Sequence, residues 1–181
     1  DYVLGKIQLL QILAHIHYYY KSSYDSSFFY LHRMKELSDS ISLPRGTAWY
    51  YLNLANVYYY QDIYYEYDDM GKAMDLYIRA KEEAEKVGDT IIIADALTGI
   101  ADILMQREDY KHSLIMLYQA LEYTSNRGMI RTQFLLYDDI ANIFKLTDQY
   151  DSSYFYYQKT LEIAKQIGNQ FGVMVTHLNL L

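Results

Sequence analysis

GDTIIIADALTGIADILMQREDYKHSLIMLYQALEYTSNR, residues 88–127, decides the fold because the chain repeats it. Apolar and small residues fall at Leu97, Ile100, Ala101 and Leu104, then at Tyr110, Ser113, Leu117 and Ala120. Spacings of three and four put each set on one face of a helix. Between the sets lies the polar run Gln106, Arg107, Glu108, Asp109. The stretch therefore reads as two amphipathic helices joined by a short turn.

Working outward, Gly128 and Gly168 follow Gly88 at intervals of 40 residues, and so do Ala141 and Leu181 after Ala101. Tyr150 follows the turn residue Tyr110 at the same interval. Toward the N-terminus, His15 and Ala55 are also 40 apart, but Ala55 to Ala101 is 46. Tyr24 to Met70 is likewise 46, so six extra residues sit between Ala55 and Met70. A fixed period of this size is the sign of a solenoid. One domain over residues 1–181 is expected, with repeats at 3–41, 45–87, 88–127 and 128–167 and a truncated copy at 168–181. The glycines stop the helices, as glycine does after a helix end.

The order Leu97, Ile100, Ala101, Leu104, Asp109-Tyr110, Ser113, Leu117, Ala120 resembles the tetratricopeptide repeat. It stands again at Tyr137, Ile140, Ala141, Phe144, Gln149-Tyr150, Ser153, Tyr157, Thr160, and at Tyr51, Leu54, Ala55, Tyr58, Met70, Ala73, Tyr77, Ala80. A degenerate version is Gln11, Ala14, His15, Tyr18, Tyr24, Ser27, Leu31, Met34, with His15 at the small-residue position. The chain departs from the family in its period, which is about 34 there, and in lacking the closing proline. The surplus lies between Ala120 and Ala141, so each helix gains nearly a turn. Such long-helix repeats are similar to those of bacterial sensory and transcription-regulatory proteins and of peptide-sensing adaptors. The resemblance implies an all-α solenoid, a right-handed superhelix whose first helices line a concave groove.

From that register the groove residues are Trp49, Leu52, Asn56 and Tyr59, then Asp95, Thr98, Asp102 and Met105, then Leu135, Asp138, Asn142 and Lys145. Leu9, Ile12, Ile16 and Tyr19 are the equivalents in the first repeat. Asn56 and Asn142 stand where the family holds peptide backbone, and an amide offers both donor and acceptor. Members that grip a C-terminal carboxylate need Lys and Arg beside those asparagines. Leu52, Thr98, Asp95 and Asp138 stand there instead, and aspartate repels a carboxylate. The expected ligand is a protein or peptide segment with a basic residue for the acidic positions and an apolar anchor near Trp49 and Tyr59. The competing reading makes these positions an ordinary solvated polar face.

Composition narrows the classes further. Hydrophobic residues make up 51% of the 181, and 23 tyrosines exceed what a minimal core needs. Some of that aromatic surface is expected to meet solvent or a partner. The net charge of −7 argues against direct contact with nucleic-acid phosphate. There is no cysteine, and the longest apolar stretches, such as residues 91–105, are broken by Asp, so no membrane span is expected. No basic segment followed by an apolar one marks a signal peptide. The chain opens on Asp1 rather than Met, and the apolar segment after Gly168 lacks a second helix, so a piece of a longer protein is expected. Cytoplasm is one expected location, and periplasm is the other if the repeats belong to a membrane-anchored sensor.

The six extra residues fall in the segment 61–69, QDIYYEYDD, whose Tyr64, Tyr65 and Tyr67 form either a partner-contact tip or a lengthened turn packed on its own stem. Asp62, Glu66, Asp68 and Asp69 lack the loop spacing of a calcium site and read as a solvated acidic face. His15 and His17 diverge on one helix, and no metal site is expected. There is no phosphate loop, nucleophile elbow or HExxH, and the adjacent Asp138 and Asp139 diverge by about 100° on a helix. No enzyme and no cofactor are expected. The sequence points to a non-catalytic binding or sensor region of a bacterial regulator, or else to a scaffold that self-associates through Tyr-rich surfaces.

Overall fold

A computed structural model describes residues 2–21, 23–65, 69–125 and 128–180. Among them are nine α-helices and no strand. The helices are α1 Tyr2–Tyr20, α2 Tyr24–Ser40, α3 Gly46–Tyr65, α4 Met70–Val87, α5 Thr90–Gln106, α6 Tyr110–Ser125, α7 Ile130–Leu146, α8 Tyr150–Gln166 and α9 Gln170–Asn179. The turns at 107–109 and 147–149 fall where the polar runs place them. Glu108 and Asp148, 40 residues apart, both adopt φ of 58° there. Gly88, Gly128 and Gly168 take φ of 66° to 69°, a left-handed conformation that glycine enters without a Cβ clash. After Gly88 the Asp89 amide reaches back to the Ala84 carbonyl at 2.9 Å, and after Gly168 that of Asn169 reaches Ala164 at 2.9 Å. These bonds satisfy carbonyls that a helix end leaves open.

The chain forms two compact units, Asp1–Ile103 and Leu104–Leu181, with the boundary inside α5. In the first unit α1 packs on α2, α2 on α3 and α3 on α4. Ile7, Ala14, Tyr18, Leu31, Met34 and Val57 form one closed cluster there. Ala55, Ala73 and Ala80 are also fully buried, as small residues must be where helices approach closely. In the second unit α7 packs on α8, α6 on α7 and α8 on α9. Leu136, Ile140, Ala141, Ile143 and Tyr157 fill its interior. Ala101 and Ala141 are both buried, as the repeat register requires.

One assignment is corrected in the first repeat. Ala14, not His15, occupies the close-packed place: it is fully buried and its carbonyl accepts a hydrogen bond from Ser27 Oγ at 3.0 Å. Ser153 Oγ donates to the Ala141 carbonyl in the same way at 2.9 Å. His15 is exposed. α1 runs six residues past Ala14, whereas α5 and α7 end five past Ala101 and Ala141, so counting back from Tyr24 at the later spacing stops one short. In the corrected register Gln8, Gln11, His15 and Tyr18 take the places assigned to Leu9, Ile12, Ile16 and Tyr19; Leu9, Ile12 and Tyr19 stand exposed on α1, and Tyr18 is buried in the core.

The insertion between Ala55 and Met70 also has a definite form. α3 runs to Tyr65, ten residues past Ala55, whereas α5 ends at Gln106, five past Ala101. Most of the surplus is therefore helix, about 7.5 Å of it at about 1.5 Å per residue. Tyr64 on this extension is exposed and stacks on Tyr60 with centroids 6.3 Å apart. Tyr67 and the side chain of Tyr65 lie outside the described residues. Asp62 Oδ1 accepts the Asp69 backbone N–H at 2.7 Å and Asp69 pairs with Lys72, so these two carboxylates serve the start of α4.

Candidate functional site

The residues assigned to the first-helix surface do not all reach it. Leu52 is buried, since an apolar side chain one helical turn from Ala55 gains more by turning inward than by facing water. Trp49, Asn56 and Tyr59 are half-buried on α3. Thr98 is half-buried on α5 and returns its hydroxyl to the Ala94 carbonyl at 2.9 Å. Asp102 and Met105 are half-buried, and Asp95 is exposed. In the second unit Asp138 and Asn142 are half-buried, while Leu135 and Lys145 are exposed.

Asn56 and Asn142 each carry a structural load that the sequence reading misses. Tyr77 of α4 donates its hydroxyl hydrogen to Asn56 Oδ1 at 2.6 Å, and Tyr157 of α8 donates to Asn142 Oδ1 at 2.6 Å. Asn142 Nδ2 also donates to Asp138 Oδ2 at 3.2 Å. The acceptor end of each amide is thus engaged within the fold, and what remains toward the surface is donor capacity. The signal lies in the register. Tyr77 and Tyr157 stand four residues after the small residues Ala73 and Ser153, and only their two repeats carry asparagine one residue after the first-helix alanine. The repeats with Leu31 and Leu117 at that place carry His15 and Asp102.

Tyr77 reaches its position because α5 has a glycine beneath it. A Cβ added at Gly99 would lie 2.3–2.7 Å from three ring atoms of Tyr77, including the hydroxyl-bearing carbon. The ring is 2% exposed, and burial holds its hydroxyl well above the usual tyrosine range. On α1 the Tyr18 hydroxyl meets His15 Nδ1 at 2.8 Å and interacts with Asn56, which favours its ionised form against a larger desolvation effect. A polar line thus runs from His15 through Tyr18 and Asn56 to Tyr77 inside the first unit.

Two carboxylates on α5 behave differently. Asp95 and Asp102 are seven residues apart, two helical turns, and so share one face. Desolvation pushes Asp102 up to about 6. Desolvation pushes Asp95 up to about 6 as well, with the Asp89 charge adding to it. Asp95 still reaches solvent, so protein crowds its carboxyl without covering it. Neither carboxylate has a hydrogen-bond donor or a cation among the described residues. Asp138 is raised for the same reason, moderated by Asn142. Asp89, by contrast, holds Arg45 at 2.5 Å, and the Arg45 guanidinium lies 4.2 Å from the centroid of the Trp49 ring.

No protein-family profile matches the chain, and no curated protein matches it. Solved structures do, at low identity. A signal transduction ATPase with numerous domains and a tetratricopeptide repeat sensor, from Pyrococcus horikoshii, aligns at 18% identity and a TM-score of 0.73, over 96% of this chain and 26% of that one. Aspartyl phosphate phosphatase F from Bacillus subtilis aligns at 14% identity and 0.81, over 98% and 44%. The apo form of RapI aligns at 16% and 0.66, over 91% and 58%. The chain thus spans between a quarter and three fifths of these proteins. The likeness is one of fold: helical repeats of the tetratricopeptide type.

Proposed function

We propose that the chain is a binding module that takes a protein or peptide segment on the first-helix surface, as the sensor or interaction region of a larger bacterial signalling or transcription-regulatory protein. The observation that carries this is the pair of unpartnered carboxylates, Asp95 and Asp102, on the same face of α5. Carboxylates crowded by protein and left without a donor disfavour folding unless something else uses them. Trp49 and Tyr59 of α3 are half-buried aromatic anchors of the kind that dominate interface energies. The ligand is a segment with Lys or Arg for the carboxylates and an apolar side chain for the rings. Asn56, with its acceptor engaged, would hold a carbonyl oxygen of the ligand rather than both sides of its backbone.

The chain's likeness to parts of regulators much longer than itself supports the same reading. The test is selection from a random peptide library followed by calorimetry. Enriched basic and aromatic sequences whose binding weakens in Trp49→Ala support it. Selection without a basic preference, or no selection, ends it. The scaffold reading rests on a different observation, the exposed Tyr150, Tyr154 and Phe155 on α8. Sedimentation separates the two, since a monomer at all concentrations leaves the scaffold reading without support.

A further inference from the structure

The surroundings of Asp102 differ in kind from those of the other polar residues on this surface. In the hairpins that contain Asn56 and Asn142, a tyrosine of the second helix supplies a proton to the amide. The corresponding place in Asp102's own repeat is Leu117, which has no polar atom to offer. The Tyr77 hydroxyl, on which the Asp102 charge acts, is already committed. Tyr77 is seated on Gly99, three residues before Asp102 on α5, and its proton points to Asn56 Oδ1. Toward Asp102 it therefore presents only lone pairs. The Tyr60 hydroxyl is pushed up to about 12, by desolvation first and then by the charges of Tyr19, Asp102 and Tyr64. The Tyr77 ring thus lies over α5 at Gly99, one turn before a carboxylate that has no donor and no cation among the described residues.

We infer that Asp102, with Tyr77 and Tyr60 beside it, is the receptor for a single ammonium or guanidinium group of the ligand. This rests on the binding reading above and narrows it. Asp102 takes the cation and the phenol rings bound its hydrocarbon stem, as aromatic faces do for Lys and Arg. Asp95, two turns away and open to solvent, attracts the same group at longer range. Other titratable groups that act on Tyr77 or Tyr60 are Tyr18 and Tyr19 of α1 and Tyr59 and Tyr64 of α3, and Asp89, paired with Arg45, acts on Asp95.

The test needs no peptide. The chain labelled with carbon-13 at aspartate carboxyls is titrated with butylguanidinium, butylammonium and the neutral butylurea. Both cations are expected to shift the Asp102 resonance saturably and to bind at least about tenfold more tightly than butylurea, because the partner of a desolvated charge is worth that much or more. Asp102→Asn, which keeps the shape, should abolish the saturable response read at the Asn56 side-chain amide. Equal response to butylurea, or an undiminished response in Asp102→Asn, overturns the inference. A library-selected peptide that binds wild type and Asp102→Asn alike overturns it too, while leaving the groove reading intact. Cation binding in a chain that selects no peptide upholds the site and removes the groove reading.

Discussion

An unpartnered carboxylate kept for a ligand should weaken the fold that carries it, and Asp102→Asn measures by how much. The folded state moves Asp102 from 3.8 to about 6, by desolvation. That is about 2 pH units at about 1.4 kcal/mol each, or about 3 kcal/mol at most. The carboxyl is partly open to water, and screening reduces the figure to about 1–2 kcal/mol. The sign follows from proton binding. Between about pH 4 and 6 the folded chain holds this proton and the unfolded chain has released it, so stability falls as pH rises through that window and stays lower above it. Asp102→Asn has no such slope. The variant should match wild type near pH 3.5 and exceed it by about 1–2 kcal/mol at pH 7, a rise of about 2–8 °C in melting temperature for a chain of this size. Thermal unfolding of both proteins by circular dichroism at constant ionic strength, pH 3.5 to 8, reads the difference, in which His15, Asp95 and the tyrosines cancel. A variant less stable than wild type at pH 7, or a gap that does not change with pH, would refute the reasoning.

Three further outcomes follow from packing. Gly99→Ala should lower stability by about 1–3 kcal/mol by forcing Tyr77 aside, whereas Gly71→Ala, where a Cβ meets nothing within 4 Å, should raise it by about 0.5–1 kcal/mol; urea unfolding of the two variants compares them. Tyr77→Phe and Tyr157→Phe should each cost about 1 kcal/mol and add in the double variant, since the two bonds lie in separate units. Ala14→Leu, Ala101→Leu and Ala141→Leu should each destabilise by about 1–3 kcal/mol while His15→Ala stays within about 0.5 kcal/mol, and melting temperatures that reverse this order would restore His15 to the close-packed place.

The turn after Gln106, the glycine stops and the burial of Ala101 and Ala141 could all be read from spacing, because each depends on residues within one helix or its immediate end. The slip at His15 shows the limit of that method. One extra residue at the end of α1 moves every assignment upstream of it, and the Ser27 bond to Ala14 fixes the true register. Leu52 was misplaced for another reason: spacing names a face of the helix, but a residue at its edge turns inward or outward according to its own polarity. The bond from Tyr77 to Asn56 joins residues 21 apart across an insertion whose form sequence spacing does not give. No local pattern contains it, although the joint occurrence of tyrosine and asparagine in two repeats, and their joint absence in the other two, marks the same partnership.

Trp49 is the only tryptophan among 181 residues and sits in the first unit under the Arg45 guanidinium, 4.2 Å from its centroid. Its emission therefore belongs to one unit alone, and the charge above the ring should displace its wavelength until Arg45 is drawn away. Excitation energy collected by the 23 tyrosines drains to this one indole from those close enough to transfer it. Denaturation of the first unit should release tyrosine light and shift the indole toward the red, while melting of the second changes tyrosine light from α8 and leaves the indole colour alone. The chain thus carries a built-in optical label, at one address, with which the cooperativity between its two halves can be timed without attaching a dye.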